Sequence, residues 1–97
     1  MFVTFLRFAA DRSRAPQFMA AHNAWVDQGL AEGDFLCVGS LQPGLGGAIL
    51  AAGDDRAAHD ARIAADPFVA EGIVIPETHQ IAVNRAAPAL AFLLVGA

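Results

Sequence analysis

Apolar residues fall along this chain in short runs with two different rhythms, and together they predict six elements. Residues 1–8 read as a strand apolar on both sides, with Phe2, Leu6 and Phe8 on one face and Val3 and Phe5 on the other. Such a strand needs two coverings. The cluster Asp11-Arg12-Ser13-Arg14 reads as a loop, in which Ser13 is an N-cap candidate and Pro16 suits a first helical turn. A helical rhythm then puts Phe18, His22, Trp25 and Val26 on one face, running to about Ala31, with Gly33 as a suitable stop. Phe35–Leu41 reads as a second strand, apolar on both faces, with Cys37 buried in it. A glycine-rich turn at 42–47 and a third strand at 48–52 complete a hairpin. Asp54 or Asp55 can cap a second helix at 56–65, whose Ala58, Ala61 and Ala65 allow close approach to a sheet, with Ile63 nearby. Asp66-Pro67 ends that helix, because a residue before proline is driven out of the helical region. Gly72 leads into a last strand at 73–83, where Pro76 marks an edge or a bulge.

The order β-α-β-β-α-β predicts an α+β, ferredoxin-like fold, with two helices on one face of a four-stranded antiparallel sheet. The other sheet face, apolar in the first two strands, is left open in a single copy. With 56% hydrophobic and 16% charged residues in 97, the chain is one domain carrying more apolar surface than one copy buries. Two sheets packed face to face, as a homodimer with a barrel-like core, meet that demand. The domain is expected over residues 1–85. The apolar tail at 86–97 has neither rhythm and reads either as packing on the partner subunit or as a frayed end.

Charge narrows the partners. The net charge is −4 and the pI near 5.0, and the six cationic side chains are all scattered arginines, which argues against a nucleic-acid partner. The lone Cys37 cannot form an internal disulfide, so no oxidising compartment is implied. The first residues lack a signal-like pattern, and the longest apolar stretch, 88–97, is shorter than the roughly 20 residues a membrane span requires. The expectation is a cytoplasmic protein with no membrane partner.

Candidate chemistry centres on His22, aimed by its helix at the core or a pocket, and on Asp66, whose carboxylate could meet it in the fold. Such a pair can work as a general acid–base, the carboxylate fixing the imidazole tautomer. Plainer roles exist for both. His22 could be a core histidine satisfied by a carbonyl, and Asp66 could cap the turn that starts at Pro67; capping and catalysis could coexist, one oxygen for each. Ser40 follows Gly39 at a strand end, where it could wall a pocket. A Ser40–His22–Asp66 triad is conceivable, but the Gly-x-Ser-x-Gly elbow is absent. Phe68 and Trp25 serve as apolar walls of the site or as core. His59, among Arg56, Asp60 and Arg62, reads as part of a solvated helix face; His79 could approach the site or face water. No short metal-ligand spacing links these histidines and Cys37, and glycines 44, 46 and 47 lack the residues of a phosphate loop. Neither metal nor cofactor is expected.

The helix carrying His22, the segments Val38-Gly39-Ser40 and Gly47-Ala48-Ile49-Leu50, and above all Ala65-Asp66-Pro67-Phe68-Val69-Ala70-Glu71-Gly72 give the chain a pattern that resembles the YciI-like (YCII-related) family of small dimeric α+β proteins. The resemblance covers residues 1 to about 83. It implies a ferredoxin-like fold, a homodimer of the dimeric α+β barrel kind, and an active site built from a His and an Asp, roles that fall here on His22 and Asp66. One relative in the family is similar to dehydrochlorinases acting on chlorinated hydroxylated aromatics. The implied function is a small cofactor-independent enzyme performing elimination or isomerisation on a substrate such as a hydroxylated aromatic. The alternative is a non-catalytic dimeric module that binds a small ligand or a partner. A cofactorless or haem-linked monooxygenase on the same barrel is a third reading.

Overall fold

The computed structural model describes residues 1–94. Its elements run β1 (Phe2–Phe8), α1 (Ala15–Ala31), β2 (Phe35–Leu41), β3 (Gly46–Ala51), α2 (Arg56–Ala64), α3 (Pro67–Ala70) and β4 (Val74–Gln80), followed by a 3-10 helix at Pro88–Leu93. The strands form one antiparallel sheet in the order β2-β3-β1-β4, the ferredoxin-like arrangement. β1 is central, as a strand apolar on both sides should be. Phe2, Thr4 and Leu6 point to the helices and are at most 3% exposed. Val3, Phe5 and Arg7 lie on the opposite face, level with Leu50 and Ala48 of β3 and with His79, Glu77 and Ile75 of β4. Pro76 sits on β4, an edge strand, where its missing N–H leaves no gap in a ladder on the outer side.

Between the sheet and the helices lies one core, which includes Phe2, Leu6, Trp25, Phe35, Ile49, Ile63 and Phe68. α1 approaches β2 closely because Gly29 is buried there; a Cβ at that position would collide with the Phe35 ring. Ser13 does not cap α1. Its N–H and hydroxyl both donate to the Asp11 carboxylate, and the cap position falls to Arg14. Asp55 caps α2, accepting from the Ala58 N–H at 3.0 Å.

Four expectations are corrected. The face α2 buries is His59 and Ile63 rather than the alanines, since Ala58, Ala61 and Ala65 are exposed. His59 is stacked on Phe2 with 4.4 Å between ring centroids, and its Nε2 lies 2.7 Å from Thr4 Oγ1. It is therefore not part of a solvated face, and desolvation holds its pKa below the ordinary 6.5. Cys37 is exposed rather than buried. A bulge causes this: Phe35 pairs with Ala51 but Cys37 pairs with Leu50, so one extra residue turns Cys37 to the open face. The last strand ends at Gln80, short of 83; Val83 instead forms an isolated parallel bridge with Leu94. His79 faces water beside Glu77, with 2.8 Å from its Nε2 to Glu77 Oε2. The tail at 86–97 is the 3-10 helix up to Leu93, with Phe92 65% exposed, and residues 95–97 lie outside the described residues. No helix among the described residues is long and apolar enough to cross a membrane.

Two measurements check this packing. Alanine is a better helix former than glycine by about 1 kcal/mol, yet Gly29→Ala should destabilise the protein by about 1–3 kcal/mol in urea unfolding, because the new methyl must displace the Phe35 ring. A gain in stability would mean that α1 and β2 are not in close contact. His59 binds its proton less readily folded than unfolded, so its contribution to stability is complete above about pH 6.5 and is lost as pH falls from there towards the folded value. The stability advantage of the native chain over His59→Gln should accordingly narrow between pH 7.5 and 5.5. A constant difference would contradict the burial of His59.

Candidate functional site

Asp66 is placed by its own local sequence. The residue before Pro67 is held extended, at φ −61° and ψ 125°, so Asp66 becomes the N-cap of α3 and its Oδ1 accepts the Phe68 N–H at 3.0 Å. This carboxylate is completely buried. His22 reaches it from α1, donating from Nδ1 to the same Oδ1 at 2.8 Å, with the imidazole 16% exposed. Phe68, brought in by the same turn, stacks on the imidazole at 4.1 Å between centroids and 6° between planes. The ring is thus fixed in plane by stacking and in orientation by a charge-assisted bond.

Asp66 caps its own turn and bonds His22 through one oxygen rather than one for each. Oδ1 takes the Phe68 N–H and His22, while the buried Oδ2 has no partner among the described residues. A buried polar atom without a partner typically costs about 1–3 kcal/mol.

With Nδ1 committed to Asp66, Nε2 is the nitrogen left for chemistry. It carries no hydrogen bond to any described residue, and His22 borders a cavity of about 330 Å³ between α1 and the helix-facing side of the sheet. For scale, a dry apolar cavity of about 150 Å³ holds benzene. The cavity is walled by Leu6, Phe8, Val38, Ile49, Phe68 and Val74, and its polar side chains are His22, Asn23 and Ser40. Among the described residues no Arg, Asp or Glu lines it. It therefore suits a small molecule that is largely apolar, uncharged and able to exchange a proton or hydrogen bond at one edge.

Ser40 lines this cavity from β2 but makes no hydrogen bond to His22, so no triad is assembled. Phe68 is a wall. Trp25 is not: it is 8% exposed in the core, edge-on to Phe35 at 5.0 Å, with its Nε1 donating to the Arg62 carbonyl at 3.0 Å. Its ring centroid lies 5.9 Å from that of His22, behind the site. Sequence reasoning missed Met19 and Asn23, which line the cavity with His22 and Val26. The signal was present, since 19, 22, 23 and 26 are one helical stripe. Among the described residues no group of three or more His, Cys, Asp or Glu side chains is placed to hold a metal ion.

With this geometry in place, comparison with known families gives one result: the model of the YCII-related domain matches residues 1–77, and the chain belongs to that family. No curated protein matches it. The match contains His22, Ser40, Asp66 and Phe68 and ends within β4, leaving the 3-10 helix outside.

Asp66→Ala should cost about 1–3 kcal/mol, because the buried Phe68 N–H loses its acceptor. Asp66→Asn keeps an acceptor oxygen and should stay within about 1 kcal/mol of the native chain. Equal losses in thermal unfolding of the two variants would show that the cap is not what Asp66 supplies.

Proposed function

We propose that this YCII-related protein is a small cofactor-independent enzyme in which His22 performs acid–base chemistry on a neutral substrate such as a hydroxylated aromatic. The observation that carries the reading is the His22–Asp66 bond, with the second imidazole nitrogen unpartnered among the described residues, beside a cavity that none of their carboxylates or guanidinium groups lines. His22 Nε2 takes a proton from the substrate, and Asp66 steadies the imidazolium that results. In an elimination, the electron pair of the broken bond forms a double bond, and the leaving group departs with its own pair. In an isomerisation, the imidazolium returns the proton to a different atom. Asn23 and Ser40 can hold a substrate hydroxyl or carbonyl while the apolar wall grips the ring.

The active form we propose is a homodimer through the open sheet face, where Val3, Phe5, Ala48 and Leu50 are only partly covered in one copy. The exposed Cys37 thiol suits a reducing compartment such as the cytoplasm. A second reading, a non-catalytic binding module, draws on Asp66 Oδ1 serving as a cap, a role sufficient to explain that residue without catalysis.

Halogenated and plain hydroxylated aromatics, assayed for halide release and for proton exchange with solvent, separate the two readings. His22→Ala should lower turnover at least about 100-fold while the chain stays folded with its dimer mass unchanged at the assay temperature, its unfolding temperature lowered because the buried Asp66 carboxylate loses one N–H donor. Binding of the same compounds without turnover, equal in the native chain and in Asp66→Asn, would favour the module instead. Sedimentation should give a particle of two 10.1 kDa chains, and Phe5→Glu should shift it to one; a native monomer would remove the dimer.

A further inference from the structure

Not every glycine in this chain is required by the fold. Gly29 and Gly46 are. A Cβ on Gly29 would collide with the Phe35 ring and one on Gly46 with the Leu6 carbonyl, and Gly46 also holds a φ of +133°. Gly47 is different. Its φ is not positive, and a Cβ there would meet one described atom, the Gly39 carbonyl oxygen, at 3.5 Å, which is ordinary van der Waals contact. A side chain would fit at this position. Glycine in a sheet gives up strand stability, because it packs nothing and loses more entropy on folding, so its presence marks a place that something else approaches closely.

The strand register shows what the missing side chain leaves open. On the helix-facing side Gly47 is level with Leu6 of β1 and with Ser40 of β2. The next row is Thr4, Ile49 and Val38, with a side chain on every strand. In the row of Gly47 the middle strand has none, so bare peptide lies between the Leu6 side chain and the Ser40 hydroxyl. Leu6, Gly47 and Ser40 all border the cavity beside His22, which makes this gap part of that cavity's floor.

The floor sets the shape and size of a ligand. A flat strip of peptide with an apolar side chain at one end and a hydroxyl at the other suits a planar ring with one polar edge. The cavity of about 330 Å³ is roughly twice one that holds benzene, so the room over Gly47 is what a second ring or a bulky ring substituent uses.

We infer that Gly47 determines substrate size: the ring system lies over it, between Leu6 and Ser40, and the preferred substrates are bicyclic or bulky hydroxyaromatics rather than phenol itself. This rests on the reading that the cavity beside His22 receives a hydroxylated aromatic.

The test measures binding of phenol and 2-naphthol to the native chain, Gly47→Ala and Gly47→Val by NMR titration, together with thermal unfolding. The native chain should bind 2-naphthol more tightly than phenol. Gly47→Ala should unfold at or above the native temperature, because its Cβ has room and alanine loses less entropy on folding. It should weaken 2-naphthol roughly fivefold and phenol less than about twofold, and Gly47→Val should weaken 2-naphthol further. The inference is overturned if Gly47→Ala unfolds clearly below the native chain, if both ligands weaken by the same factor or neither weakens, or if the native chain does not prefer 2-naphthol. Size-selective binding without turnover would remove the enzyme reading and leave this one standing; turnover with equal weakening of both ligands would do the reverse.

Discussion

The candidate site depends on one buried carboxylate. Asp66 is taken wholly out of water, an arrangement that costs several kcal/mol for an ion unless hydrogen bonds replace the lost solvation. Two N–H groups do so, one from its own turn and one from an imidazole 44 residues earlier in the chain. The first is local: Pro67 fixes the backbone that makes Asp66 a cap. The second ties α1 to α3 and sets the plane against which Phe68 stacks. Stability alone does not account for the pair. A cap needs neither a histidine nor burial, and an unpartnered Oδ2 is a standing penalty of about 1–3 kcal/mol. What the arrangement does achieve is a histidine of fixed orientation with one nitrogen turned to a cavity.

Much of this was legible in the sequence. The two-sided apolar pattern of residues 2–8 marked a central strand, and Asp66-Pro67 marked both the end of α2 and a new cap. The residues offered the meeting of His22 with Asp66 only as a possibility, which the resemblance to a family strengthened, because nothing local to either residue encodes a separation of 44 positions. Where the reading failed, a local pattern had been outvoted. The arginines and aspartate around His59 suggested a solvated face, yet His59 and Ile63, four apart, form the buried stripe of α2. Cys37 was misplaced by the alternation rule itself: two residues after a buried Phe35 it should share that face, and the bulge between them reverses it.

Helix α1 shows how one element serves both packing and site. Ala15, Trp25 and Gly29 are buried, and with Phe18 and His22 they fall on a stripe that faces the core. Met19, His22, Asn23 and Val26 form an adjoining stripe that faces the cavity. His22 belongs to both. The core stripe explains why the histidine cannot move, and the cavity stripe explains what it can touch. Trp25 belongs only to the first, and its indole bond to the Arg62 carbonyl ties α1 to α2 behind the imidazole. Reading both stripes as one broad face merged a packing residue with the site.

The sheet separates these functions further. Its helix-facing side carries Leu6, Ile49 and Val38 into the His22 cavity at one end, and Phe2 against the His59 ring at the other. Its open side carries Val3, Phe5 and Leu50, with a polar row of Glu77 and His79 along edge strand β4. Polar groups at one margin and apolar ones at the centre would serve as rim and core of the proposed dimer interface. Because alternation assigns every residue of β1 to one side or the other, a homodimer through the open side would leave the helix side untouched. Self-association could then be lost without disturbing the His22–Asp66 bond, and that bond could be broken without exposing new apolar surface on the sheet. The two sides are joined through the strand backbones, and in β1, which is paired on both edges, a slip in register would exchange them.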